Sequence, residues 1–180
     1  MKLATFSAQG GAPEIGCVDA ERQTILPLAR LSGGDPAFAS MLALIESGKA
    51  GLSKARALAA KGGASLALAS VKLLAPVPVP ASIRDFSTFE IHLSGAPSGM
   101  QVLKARLAGD PLPDLAALKA QIKPAPVYYQ QPIYYTGNRF SVVGTDTDVP
   151  WPDYCEYLDY ELEFGVFIGK GGKNIPREKA

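Results

Sequence analysis

Apolar and polar positions alternate weakly over the first thirty residues, with Gly10-Gly11 and Asp19-Ala20 set between the apolar pieces. That rhythm predicts short antiparallel strands joined by turns, a small β layer that opens the chain. At Asp35-Pro36 the period changes. Proline fits the first turn of a helix, and Phe38, Met41, Leu42, Leu44 and Ile45 then form an apolar stripe that runs to Gly48. A second short helix is predicted around residues 52–60. Residues 65–74 are apolar and lead into Ala75-Pro76-Val77-Pro78-Val79-Pro80, whose spaced prolines favour an extended, semi-rigid connection. A domain boundary is placed there, with a small N-terminal α/β domain over residues 1–74 and a second domain over 75–180.

Beyond the prolines, Ser82 is positioned to cap a short helix through residues 84–93 that ends at Gly95, Pro97 and Gly99 and is followed by a mobile loop. Residues 114–122 have helical periodicity. From Val127 onward Tyr, Val, Ile and Phe dominate between turn residues, so the second half is expected to be mostly β. Residues 158–168 read as one strand whose period of two puts Tyr160, Leu162, Phe164, Val166 and Ile168 on one face and Glu161 with Glu163 on the other. The expected fold class is α+β.

Composition narrows the function. The 180 residues are 47% hydrophobic, enough for one substantial core or two small ones, and 18 basic against 17 acidic residues leave a net charge of +1. No Lys/Arg run suits a phosphate backbone, so nucleic acid is not an expected partner. The first ten residues hold too short an apolar stretch for a signal peptide. The longest apolar stretch, residues 66–79, is interrupted by Ser70, Lys72, Pro76 and Pro78, so no membrane span is expected and the cytoplasm is the expected compartment. Cys17 and Cys155 have neither the spacing nor the number for a zinc site or a disulfide framework, and read as idle thiols.

Glu161 and Glu163, side by side on one strand face, repel each other. If buried they must raise a pKa or share a hard divalent cation such as Mg²⁺; the alternative is the solvated face of an edge strand. His92 is the single histidine and follows Asp85 by seven residues, two turns and hence the same face of a helix. A carboxylate and an imidazole would then approach one cavity, and a pKa near neutrality suits His92 to general-base work; a lone histidine is otherwise a structural or surface residue. Pro132-Ile133-Tyr134-Tyr135-Thr136-Gly137-Asn138-Arg139 brings tyrosine, glycine and a cation together as an anion pocket requires, or belongs to a hairpin. Gly169-Lys170-Gly171-Gly172-Lys173 lacks the spacing of a phosphate loop and reads as a turn.

Taken in order, residues 83–92 (Ile-Arg-Asp-Phe-Ser-Thr-Phe-Glu-Ile-His), Pro132-Ile133-Tyr134-Tyr135-Thr136-Gly137 and Leu158-Asp159-Tyr160-Glu161-Leu162-Glu163 resemble the motifs of the fumarylacetoacetate hydrolase family. The resemblance covers about residues 74–180 and is loose before that. It implies that residues 75–180 form the first part of a mainly β, β-roll-like catalytic domain. It further implies that Glu161, Glu163 and Asp85 are metal ligands, that His92 activates water as general base, and that Tyr135 faces the substrate. The implied substrates are β-dicarbonyl or 2-oxo acids, and the implied cofactor is Mg²⁺, Mn²⁺ or Ca²⁺. The implied reaction is C–C bond hydrolysis, with decarboxylation, hydration and isomerisation also found on the scaffold. Complete relatives are homodimers and continue with a further metal-binding aspartate and a catalytic lysine that this chain does not contain. A chain cut short of its full active site, inactive alone and able only to fold, bind metal or pair with another chain, is the competing expectation. Ser87 stands where fumarylacetoacetases proper carry a substrate-binding tyrosine.

Overall fold

A computed structural model describes residues 1–180, which form two compact units: Met1–Pro80 together with Phe140–Ala180, and Ala81–Arg139. The first unit is built on the predicted β layer. Strands β1 (Lys2–Ala8), β2 (Glu14–Asp19) and β3 (Thr24–Pro27) run as an antiparallel meander. Gln9 and Gly10 turn β1 back at positive φ, 52° and 73°, where Gly11 N donates to Ala8 O at 2.9 Å. The chain then leaves the sheet for α1 (Leu28–Leu31), α2 (Met41–Glu46) and α3 (Gly48–Lys61). It returns as β4 (Leu66–Ala67) on the β3 edge and β5 (Val71–Leu74) on the β1 edge.

The registers Leu3↔Cys17 and Thr5↔Ile15 put these four residues on the face that meets the helices. There Ile15 and Cys17 join Leu28, Phe38, Met41, Leu44, Ala55 and Val77 in one buried cluster. Phe6 and Ile25 point to the other face and are fully buried as well. Polar groups pin the helical layer. Asp35 Oδ1 accepts from Ala37 N at 3.0 Å, Ser40 Oγ caps α2 from Ala43 N at 3.1 Å, and Thr5 Oγ1 donates to Pro76 O at 2.6 Å, tying the proline segment to β1.

In the second unit β6 (Arg84–Phe86) pairs antiparallel with β7 (Tyr134–Thr136), and α4 (Glu90–Ala108) packs on α5 (Leu115–Gln121). Asp114 caps α5 by accepting from Ala116 N at 2.8 Å and Ala117 N at 3.3 Å, at the start expected from the sequence.

Four expectations are corrected. Residues 84–86 are strand rather than helix, because their backbone finds a ladder partner in β7. The helix starts only at Glu90 and continues through Gly95, Pro97 and Gly99 to Ala108, where Gly109 at φ 74° ends it. Pro97 deprives the Leu93 carbonyl of its donor. Packing on α5 and the buried Ser98, whose hydroxyl donates to Ser94 O at 2.6 Å, carry the helix past that break, so the expected mobile loop is helical. The second half is also not mostly β: after residue 80 only β6 and β7, three residues each, are strand. Residues 158–168 form neither strand nor helix. The coarse class holds, mixed α+β with an antiparallel sheet. No helix is long and apolar enough to cross a membrane.

Candidate active site

Three of the five residues singled out for chemistry lie in the second unit. The β6–β7 ladder sets Asp85 directly opposite Tyr135, so a carboxylate and a phenol share one face of the ribbon. The other face holds Arg84, Phe86 and Tyr134: the Phe86 and Tyr134 rings are 5.2 Å apart, and the Arg84 guanidinium lies 5.4 Å from the Tyr134 ring centre. Ser87 N donates to Ile133 O at 3.0 Å and extends the pairing by a residue. The ribbon is a defined platform, yet Tyr135 remains 69% exposed and Asp85 is exposed too.

His92 sits in the first turn of α4, its backbone N donating to Phe89 O at 3.1 Å, with the side chain exposed. The same-face relation expected for Asp85 and His92 on one helix is therefore absent: one is on a strand, the other on the helix that follows. Glu161 and Glu163 belong to the other unit, exposed on irregular backbone. The alternation that would aim both at one cation requires a strand, and none forms there.

A divalent ion needs carboxylate or imidazole groups converging from several directions. Within neither unit do three His, Cys, Asp or Glu side chains converge in that way. Cys17 is buried in the core cluster, where burial pushes its thiol up.

Sequence reasoning missed a cleft of about 260 Å³ between the start of α4 and the end of α5, lined by Glu90, Ile91, Ser94, Lys119, Ile122 and Lys123. Glu90 is engaged from its rim: the Tyr129 phenol donates to it, and that bond, with burial adding, holds Tyr129 above its ordinary value. The signal for the cleft in the sequence is weak, two lysines four residues apart flanking Ile122.

Residues 111–180 match the family model described as fumarylacetoacetate (FAA) hydrolase C-terminal. The matched stretch carries Tyr135, Glu161 and Glu163, and Asp85 and His92 fall before it. Over that stretch the chain is similar to the fumarylacetoacetate hydrolase family. A comparison with curated proteins found no match.

Proposed function

We propose that this chain belongs to a metal-dependent hydrolase or lyase acting on a β-dicarbonyl or 2-oxo acid. The family match over residues 111–180 supports this reading. In it His92 is the general base, Tyr135 meets the substrate, and Asp85, Glu161 and Glu163 are the carboxylates available to Mg²⁺, Mn²⁺ or Ca²⁺. The ligand is a small anionic oxo acid in a cytoplasmic setting rather than nucleic acid or a membrane.

A second reading is favoured by the site itself. With Asp85 on the β6–β7 ribbon and both glutamates exposed on irregular backbone, the donor groups do not converge within either unit. The chain on its own is then inactive and serves to fold, bind metal or pair with another chain. Hydrolysis, decarboxylation, hydration and isomerisation differ in how a pocket disposes the product, so reaction type follows from substrate assay.

Calorimetric titration of Mn²⁺ into the folded chain, beside Glu161→Gln/Glu163→Gln, separates the two readings. Saturable binding that the double variant loses supports the metal enzyme and directs assays to acylpyruvates and related oxo acids. Wild type that binds no better than the variant supports the inactive chain.

A further inference from the structure

The cleft between the start of α4 and the end of α5 is lined by two runs at helical spacing, Glu90, Ile91 and Ser94 on one wall and Lys119, Ile122 and Lys123 on the other. An acid thus faces two bases. Glu90 stands in the first turn of α4 and Lys119 in the last turn of α5, each at the helix end whose dipole favours its charge. Lys119 runs past Gly95 of α4, where a Cβ would lie 3.8 Å from its Cε. Neither lysine is in ion-pair contact with Glu90. Tyr129 donates to Glu90 from the rim, and the two carboxylate oxygens can accept further donors. Ser94 gives its hydroxyl proton to Ile91 O at 3.1 Å, so on the acidic wall it too offers lone pairs. Ile91, 78% exposed, and the half-buried Ile122 add apolar surface to both walls.

We propose that this cleft binds a small zwitterion, a free α-amino acid with a branched aliphatic side chain. Its carboxylate meets the Lys119 and Lys123 ammonium groups, its own ammonium meets Glu90 and Ser94, and its side chain lies on Ile91 and Ile122. Size and charge select this class. At about 260 Å³ the cleft is smaller than the roughly 300–1,000 Å³ of sites for drug-sized ligands. A carboxylic acid without the ammonium leaves Glu90 unanswered, and an amine without the carboxylate leaves both lysines so; unpaired charges of this kind are how a site rejects the wrong ligand. Asp85, His92 and Tyr135 do not line the cleft, so the site is separate from the residues assigned to the oxo-acid chemistry.

The test is a titration of the full chain followed by its backbone amide signals in nuclear magnetic resonance, in EDTA so that it does not depend on the metal reading. The probes are L-leucine, 4-methylpentanoate, which is leucine without its ammonium, and 3-methylbutylamine, which is leucine without its carboxylate. Leucine is expected to shift the signals of residues 90–95 and 119–123 and to saturate below about 50 mM, with both analogues about tenfold weaker or worse. Lys119→Gln/Lys123→Gln is expected to weaken leucine by about tenfold, its far-ultraviolet spectrum unchanged because both side chains are exposed. Absence of saturation, shifts confined to other residues, or leucine bound as tightly by the double variant would each overturn the proposal. So would 4-methylpentanoate binding as tightly as leucine, which would make the cleft a site for anions alone.

Discussion

Asp85 and Tyr135 face one another across the β6–β7 ladder, although fifty residues of chain separate them. Two motifs that looked independent along the sequence are thus two sides of one short ribbon. What holds the ribbon together is the opposite face, where Tyr134 touches both Phe86 and Arg84.

The division of labour between the adjacent tyrosines is testable. Tyr134→Ala removes a ring pair and a cation–π contact, and is expected to destabilise the second unit by about 1–2 kcal/mol. Tyr135→Ala removes an exposed side chain and is expected to stay within about 0.5 kcal/mol of wild type. Urea unfolding followed by far-ultraviolet circular dichroism measures both. Equal losses would mean that Tyr135 supports the ribbon and is not reserved for a ligand.

Asp35 gives an acid-side prediction. The Lys54 ammonium, at 2.7 Å, and the Ala37 N–H hold its carboxyl below the ordinary aspartate value. A carboxylate depressed on folding contributes stability above its unfolded pKa and loses it as the pH falls through the folded one. The melting temperature of Asp35→Asn is therefore expected to lie below that of wild type by a constant margin above about pH 5, and the margin to shrink between about pH 4 and pH 2. A margin that does not vary with pH would trace the effect to the helix cap rather than to the charge.

Tyr129 gives the alkaline counterpart. Its bond to Glu90 favours the neutral phenol, so its contribution is present below the unfolded pKa and is lost as the pH rises through the raised, folded one. Glu90→Gln removes the charge responsible. In an absorbance titration of the seven tyrosines, one equivalent is expected to ionise at lower pH in Glu90→Gln than in wild type, and the other six at the same pH. Superimposed curves would show that the pair does not form in solution.

The parts of the fold legible in the sequence were those set by local rules. The strand–turn rhythm of the first thirty residues and the Asp114 cap depend on neighbours a few residues away and appear where expected, whereas Asp35-Pro36 opens only a 3₁₀ turn over Pro36–Phe38 and the α-helix begins at Met41, capped by Ser40. Residues 84–93 have helical spacing, yet Arg84-Asp85-Phe86 takes its conformation from β7, some fifty residues on. Pro97 looked like a stop, but packing on α5 overrides it. The alternation of residues 158–168 is a real pattern without being a strand, since periodicity says which face would be dry and does not supply a partner strand. The candidate site inherits that limit: residue types could be picked out one by one, but their convergence depends on pairings between distant segments.

Gly16 illustrates a constraint that periodicity cannot reveal. It lies in the middle of β2, opposite Pro27. A Cβ built there would stand 2.5 Å from Ile25 Cγ1 and 2.9 Å from both Ile25 Cδ1 and the Leu26 carbonyl oxygen. Ile25 is fully buried and the carbonyl is backbone, so neither can retreat freely. Gly16→Ala is expected to cost about 1–3 kcal/mol by overpacking, in spite of the better strand propensity of alanine. Ile25→Ala removes both offending carbons, so Gly16→Ala is expected to cost markedly less in that background than in wild type, the non-additivity that marks a direct steric contact. Urea denaturation of the two single variants and the double variant completes the cycle. Additive costs would place the strain at Leu26, in the β2–β3 ladder, rather than in the Ile25 side chain.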